Sequence, residues 1–346
     1  MIKPDSVKRN ILTLYIVLLL VICLVFGAII MIGPVSISFS NIWNSFLGTN
    51  GISDIYIDIF WKIRFSKAVT ALLAGSALGV SGLLMQTYFQ NPLAGPFVLG
   101  IHGGSGLGVA LWIMATSALT AILPPYILEL GTIFFSFVGG ISVLLLLMFL
   151  SLRIPGKVIL LVVGLMLGFV SSGIINILVS VSEANEIKSF LLWSLGSFQR
   201  VSGSSLILYC SILIPVLALS ILMIRPLNLL LLGDRYAKAL GLSLQKTKYI
   251  LIFLTAILAG TVTAFCGPIA FIGIIVPHIA RYLFKSGDHK VILPATILVG
   301  GLVALIAEFI ASSWEVLLLP LNAITGLLGA PIILIFLWRH RKEESF

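Results

Sequence analysis

The sequence predicts an all-α, polytopic membrane protein with about ten transmembrane helices in a single domain, residues 1–346. Of these residues, 60% are hydrophobic and only 10% are charged, and the mean hydropathy is +1.19, whereas soluble domains carry about 25% charged residues. The net charge of +9 does not indicate nucleic-acid binding, because the basic residues cluster at the ends of apolar runs. We therefore expect contact with membrane lipid and no nucleic-acid partner.

Ten apolar runs are predicted to be the transmembrane helices. They cover residues 11–32, 68–88, 96–115, 127–150, 158–179, 205–224, 249–266, 271–284, 291–311 and 321–338. The first run is too long for a signal-peptide core and lacks a small-x-small cleavage site, so it is expected to remain as an uncleaved helix. The turn-rich residues 33–62 are expected to form an outside loop. The run 271–284 is short, follows Gly267-Pro268 and contains Pro277, which predicts a broken helix enclosed by protein or lining a cavity.

The basic residues predict the orientation of these helices. Ten spans with both termini in the cytoplasm place 16 of the 21 Lys and Arg residues in cytoplasmic segments, and the opposite orientation places five there. Short cytoplasmic loops carry the excess of Lys and Arg, so both termini are predicted to be cytoplasmic. The exceptions on the outside are Lys62, Arg64, Lys67, Lys188 and Arg200.

A short internal repeat predicts that the two halves are inverted copies. Residues 71–82 (ALLAGSALGVSG) align without gaps to 256–267 (AILAGTVTAFCG), and in a ten-span topology the second helix runs inward and the seventh outward. Small residues let helix backbones approach closely in lipid. The candidates for packing near a transport pathway are Gly75, Gly79 and Gly82, together with Asn91 and Pro92 in the shaped turn after the second helix.

Segment 225–248 is the longest basic, helix-capable stretch between two apolar runs. It carries five basic residues against one acid, Asp234, and is therefore predicted to be cytoplasmic. Residues 227–232 and 234–240 on either side of Gly233 predict two short helices joined at a glycine. Their leucines would face water unless a partner protein covers them. The alternative is an amphipathic loop that lies on the inner leaflet.

The sequence contains no catalytic, cofactor-binding or metal-ligating constellation. It has no glycine loop ending in Gly-Lys-Ser/Thr, so the chain is not expected to hydrolyse ATP itself. Cys23, Cys210 and Cys266 lack the spacing of a disulfide framework or a metal site. His102 is not expected to be a ligand, because nothing around it completes a metal site.

Ionisable residues within the predicted spans are few. Glu308 is either an interfacial residue or part of a relay, and His278, near Arg281, is expected to form hydrogen bonds at a helix end. These features fit a transporter. An ion-coupled secondary transporter with inverted repeats is the alternative to an ATP-driven one, and a polytopic membrane enzyme is disfavoured because no acid, metal or nucleophile cluster faces one side.

Four ordered motifs together resemble one family. They are RFSKAVTALLAGSALGVSGLLMQTYFQNPLAGPFVLGIHGG at 64–104, the loop 225–248, GPIAFIGIIVPHIAR at 267–281 and LPLNAITGLLGAPIILIFLWR at 319–339. The chain resembles FecCD-like permeases, the membrane subunits of type II ABC importers for ferric siderophores, haem and cobalamin. The resemblance implies a homodimer in the bacterial inner membrane, two cytoplasmic ATPase subunits and an extracytoplasmic substrate-binding protein.

The resemblance also implies roles for particular residues. Those implied to contact the ATPase subunit are Leu230, Gly233, Asp234, Arg235, Leu240 and Gly241. Arg64 and Lys67, at i and i+3, are expected to face the aqueous mouth and to meet acidic residues of the binding protein. Four stretches depart from the family pattern: Phe65-Ser66 replaces x-Pro between the two basic residues, Gly95 replaces an acid, His102-Gly103-Gly104 replaces Ser-Ser-Gly, and Ser312 stands where an arginine is frequent.

Overall fold

The computed structural model describes residues 4–31, 54–116, 122–153, 156–312 and 319–343, and these residues form helices and connecting turns without a strand. Their thirteen helices are α1 (Pro4–Met31), α2 (Asp54–Asp58 and Ser66–Phe89, joined by the π-helical Ile59–Phe65), α3 (Ile101–Thr116), α4 (Pro125–Arg153), α5 (Lys157–Ser180), α6 (Ala184–Ser194), α7 (Gly203–Ile221), α8 (Ile224–Leu231), α9 (Asp234–Ala239), α10 (Leu244–Cys266), α11 (Ile272–Phe284), α12 (His289–Ser312) and α13 (Leu321–Glu343).

Each of the ten predicted runs coincides with one of these helices, which confirms the all-α membrane class. Seven helices in the described part of the chain are long and apolar enough to cross a membrane. Several boundaries were wrong: α1 begins at Pro4 rather than at residue 11, and α10 begins at Leu244 rather than at residue 249. The second helix begins at Asp54, inside the stretch 33–62 that was expected to be a loop, and α3 begins at Ile101 rather than at residue 96. Residues 33–53 of that expected loop lie outside the described residues.

Two of the helices predicted as membrane spans, α3 and α11, are too short to cross the membrane alone. At a rise of about 1.5 Å per residue, α3 spans roughly 24 Å and α11 roughly 20 Å, less than the roughly 30 Å hydrocarbon core. Each follows a long helix through an irregular link, residues 90–100 after α2 and residues 267–271 after α10. The same order of long helix, irregular link and short helix in both halves supports the prediction that the halves are inverted copies. Irregular backbone at membrane depth requires a protein environment, and Leu99 and Ile269 in the two links are buried.

Helix α2 lies at the centre of the subunit, packed against α7, α10, α11 and α12. The predicted packing glycines form these contacts. A Cβ on Gly75 would overlap the carbonyl oxygen of Gly300, a Cβ on Gly82 would overlap that of Gly273, and one on Gly79 would lie 2.7 Å from the side chain of Val276. The missing side chains therefore let α2 touch α11 and α12 backbone to backbone.

Helices α4, α5 and α7 form the periphery of the subunit. Between 22% and 28% of the residues in their most apolar stretches are buried, compared with 83% for α2. Large apolar side chains such as Phe134, Phe169 and Ile207 are exposed on them. Such faces need lipid or another protein chain to cover them.

Candidate functional site

The segment between α7 and α10 contains two short helices, as the sequence predicted. Helices α8 and α9 meet at Gly233, whose φ is +90°, and Gly241 after α9 has a φ of +87°. Both values lie in the region that glycine adopts without strain. The two glycines therefore set the angle between the helices and the chain's return to α10.

One side of this segment packs on the subunit and the other side is open. Leu227, Leu230 and Ala237 are buried. The open apolar patch consists of Leu231, Leu232, Tyr236 and Leu240, of which Tyr236 is 70% and Leu240 is 61% exposed. Leu230, only 1% exposed, is thus a core residue of this subunit, and its expected contact with an ATPase subunit is not possible in this conformation.

Charged residues lie at the edge of the patch. Arg235 is exposed, whereas the Asp234 carboxylate accepts a hydrogen bond of 2.7 Å from the Lys157 ammonium at the start of α5. That ammonium also lies 5.2 Å from the ring centroid of Tyr88, in the last turn of α2. Lys157 thus connects α9 to two membrane helices.

Asn228 of α8 connects the segment to α12. Its side-chain oxygen accepts hydrogen bonds from the backbone N–H of His289 (2.9 Å) and from the His289 ring Nδ1 (2.8 Å), and its Nδ2 donates to the Asp288 carboxylate (2.7 Å). The Lys290 backbone N–H and the Asn228 amide donate to this carboxylate, and they lower the pKa of Asp288 below its usual range.

The end of α2 next to α8 forms further hydrogen bonds. The Thr87 hydroxyl lies 2.9 Å from His289 Nε2, and Gln90 donates to the Leu230 carbonyl at 3.1 Å. On the same turn, Gln86 accepts from Arg281 (2.8 Å) and donates to the Ile274 carbonyl (2.9 Å), both on α11. The end of α2 is therefore bonded to α8, α11 and α12.

The loop candidates Asn91 and Pro92 lie just beyond this junction. The side chain of Asn91 accepts from the backbone N–H of Leu93 at 2.9 Å, and the carbonyl of Pro92 lies 2.9 Å from His278 Nε2. These contacts fix the shape of the turn. His278 forms a hydrogen bond, as expected, but it lies in the middle of α11 rather than at a helix end.

At the opposite end of α2, Arg64 and Lys67 are buried, being 3% and 6% exposed. Arg64 Nη1 donates to the last carbonyls of α1, those of Ile30 (2.8 Å) and Met31 (3.0 Å), and Lys67 Nζ lies 3.2 Å from Glu308 Oε1 on α12. The prediction that both cations face the aqueous mouth was therefore wrong. Free carbonyls at a helix end and an unpaired buried carboxylate attract these charges inward.

The Glu308 side chain is therefore not at a lipid interface. It is 3% exposed and pairs with Lys67. Ser312, one turn further along α12, donates to the Glu308 backbone carbonyl at 2.8 Å. His102 is partly buried and stacks on the ring of Phe97 (centroids 3.5 Å apart) with Thr263 at 3.2 Å, which is a packing environment.

Known proteins resemble this chain over nearly its whole length. Residues 17–339 match the model of the FecCD transport family. The chain belongs to the FecCD transport family. It is 34% identical over 336 residues to the hemin transport system permease protein HmuU of Yersinia pestis, covering 96% of this chain and 97% of that protein. It is 36% identical to the vitamin B12 import system permease protein BtuC of Klebsiella pneumoniae, covering 81% and 82% of the two chains.

Solved structures agree with this assignment. A metal-chelate type ABC transporter in an inward-facing conformation superimposes with a TM-score of 0.83 at 25% identity, covering 94% of this chain and 99% of that one. PsaBC from Streptococcus pneumoniae, in complex with Fab, superimposes with a TM-score of 0.53 at 18% identity, covering 78% and 89%, and shows a similar fold. The FecCD chain described here is therefore a transport permease.

The sequence analysis missed the residues that bond the α8–α9 segment to the membrane helices. Asn228, His289, Thr87 and Gln90 are polar residues at helix ends, a position that is common and carries no spacing motif. A signal was nevertheless present, because Gln86, Thr87 and Gln90 place three hydrogen-bonding side chains within five residues at the end of an apolar helix. Such groups need partners when they are buried.

Proposed function

We propose that this chain is the permease subunit of an ATP-binding cassette importer in the bacterial inner membrane, and that ATP hydrolysis in a partner subunit drives transport. The observation that carries the proposal is the open apolar patch on α8 and α9. It lies in a segment rich in Lys and Arg, which the distribution of charge assigns to the cytoplasm. Exposed apolar side chains in an aqueous compartment indicate a protein partner.

The partner is a cytoplasmic ATPase subunit, because the permease has no nucleotide-binding loop of its own and the segment is bonded to α2, the central helix. Arg235 and the glycines Gly233 and Gly241 shape the same surface. Two ATPase subunits would serve a homodimer. The exposed apolar faces of α4, α5 and α7 provide surfaces for the second copy and for lipid.

The proposed cargo is a chelate of the kind carried by the relatives, namely haem, cobalamin or an iron-siderophore. An extracytoplasmic binding protein would deliver it to the outer face. Arg64 and Lys67 would contribute to that docking indirectly, because they hold α1, α2 and α12 together beneath the surface. The permease makes no covalent bond, and it converts a partner's conformational change into alternating access.

The proposal is tested with the permease, its ATPase and its binding protein reconstituted into proteoliposomes. Uptake of haem, cobalamin and a ferric siderophore is measured with ATP, with a non-hydrolysable analogue, and with a proton gradient alone. Uptake of at least one chelate that requires ATP hydrolysis is expected. Uptake driven by the proton gradient without ATP would instead establish an ion-coupled secondary transporter.

The assignment of the docking surface needs its own variant. Tyr236→Asp/Leu240→Asp places two carboxylates in the apolar patch, where burial of an unpaired charge costs several kcal/mol, so the ATPase should no longer copurify. Ser243→Asp is the control, because it adds a negative charge at an exposed position next to the patch. Copurification of the double variant at normal stoichiometry would show that the ATPase binds elsewhere.

A further inference from the structure

We propose that Asn228, His289 and Thr87 form the connection that transmits movement of the α8–α9 segment to α2 and α12. The proposal rests on the proposed function, since it concerns how a partner's movement would enter the membrane domain. It assigns a positioning role to three residues that contact neither nucleotide nor cargo.

The orientation of the Asn228 amide is fixed by its neighbours. The His289 backbone N–H can only donate, so the atom 2.9 Å from it is the amide oxygen, and the Asp288 carboxylate accepts from the amide nitrogen at 2.7 Å. The oxygen also lies 2.8 Å from His289 Nδ1, which must then carry a hydrogen. Only an amide supplies both an acceptor and a donor at this place.

The imidazole of His289 links Asn228 to α2. With a hydrogen on Nδ1, the neutral ring of His289 has Nε2 as an acceptor, and the Thr87 hydroxyl donates to it at 2.9 Å. His289 is 1% exposed and Thr87 is 3% exposed. Water does not reach the Thr87–His289 bond in this conformation, and breaking that bond leaves buried polar groups unpaired.

A second hydrogen bond joins α8 to the end of α2, so the connection has two points of attachment. Gln90, three residues after Thr87, donates to the Leu230 carbonyl at 3.1 Å. Leu230 of α8 is thus bonded to the residue that follows α2, and Asn228 of α8 is linked to the last turn of α2 through His289 of α12. A displacement of α8 along the membrane surface would therefore pull α2 with it rather than pivot about one contact.

A helix cap alone does not explain Asn228. Asp288 already serves the first turn of α12, since its carboxylate accepts from the Lys290 N–H and its backbone carbonyl accepts from Val291 and Ile292. Asn228 adds one bond to a backbone N–H and two to side chains, all from another element. A cap would affect stability, whereas a connection affects how much transport each ATP produces.

The test uses the full complex of permease, ATPase and binding protein in proteoliposomes, and it measures chelate uptake per ATP hydrolysed. Asn228→Asp replaces the amide donor by a carboxylate facing Asp288. We expect basal hydrolysis to remain and uptake per ATP to fall about tenfold. Asn185→Asp, the same change at an exposed position on α6, should leave the ratio unchanged. Adding Asp288→Asn to Asn228→Asp restores one amide and one carboxylate and should recover the ratio.

A second pair of variants does not alter charge. Thr87→Val keeps the shape but removes the hydroxyl, and it should lower uptake per ATP with some loss of thermal stability, because His289 Nε2 is left without its donor. Thr70→Val, whose hydroxyl donates to Ser66 within the same helix, should have no effect. Normal uptake per ATP in both Asn228→Asp and Thr87→Val would overturn the proposal. Absence of ATP-driven uptake in the unsubstituted complex would instead overturn the proposed function.

Discussion

The ammonium group of Lys67 on α2 lies 3.2 Å from the carboxylate of Glu308 on α12, and both side chains are buried. Removing one partner leaves the other as an unpaired buried charge. We expect Lys67→Met to lower the free energy of unfolding by about 3–5 kcal/mol. Thermal unfolding of the purified permease in detergent measures this loss.

The matched double variant separates the charge from the packing. Lys67→Met/Glu308→Leu replaces the pair by apolar side chains, an exchange that is often neutral or stabilising, so its unfolding temperature should return to or exceed that of the original chain. If Lys67→Met alone is as stable as the original chain, the ion pair does not contribute to the free energy of unfolding.

The close contact between α2 and α11 predicts that Gly82 tolerates no side chain. A methyl group there would overlap the Gly273 carbonyl oxygen, and inserting atoms into a packed core costs about 1–3 kcal/mol. Gly82→Ala should therefore unfold at a lower temperature. Gly27→Ala on α1 is the control, because a Cβ there meets no atom within 4 Å and alanine favours a helix by about 1 kcal/mol. Equal stability of the two variants would contradict this packing.

Leu230 and Leu240 should respond differently to the same substitution. Leu230→Ala removes a buried side chain and should cost about 2–5 kcal/mol of stability in the isolated permease. Leu240→Ala, at an exposed position, should change stability by no more than about 0.5 kcal/mol while weakening association with the ATPase. Pull-down and thermal unfolding on both variants measure the two effects. A stable Leu230→Ala variant that loses its ATPase would show that Leu230 contacts the partner.

The orientation predicted from charge can be checked by labelling. Single cysteines at Lys246 and Lys285, both exposed, should react with a membrane-impermeant thiol reagent from the cytoplasmic side only. A cysteine at Lys188, exposed on α6, should react from the outside only. Reaction of any of these from the other side would invalidate the ten-span topology.

The sequence was sufficient to predict the helices but not their partners. Apolar runs predict membrane helices because the bilayer sets their length, and every predicted run became a helix. Helix α6 was missed because its sequence, ANEIKSFLLWS, is mixed in polarity, although Glu183 and Glu186 form a capping box at its start. The partners of Lys67 and Asn228 were missed because they lie far along the chain, and sequence periodicity reports only neighbours on one helix.

The uninterrupted helical run Ile55–Phe89 in α2 gives the subunit a mechanical property. Its 35 residues extend roughly 50 Å, well beyond the roughly 30 Å hydrocarbon layer. Over that length a tilt of about 5° moves one tip by about 4 Å relative to the other. Trp61, 38% exposed, lies near the tip opposite Thr87, so a tilt of α2 that moves Thr87 would also displace the Trp61 indole.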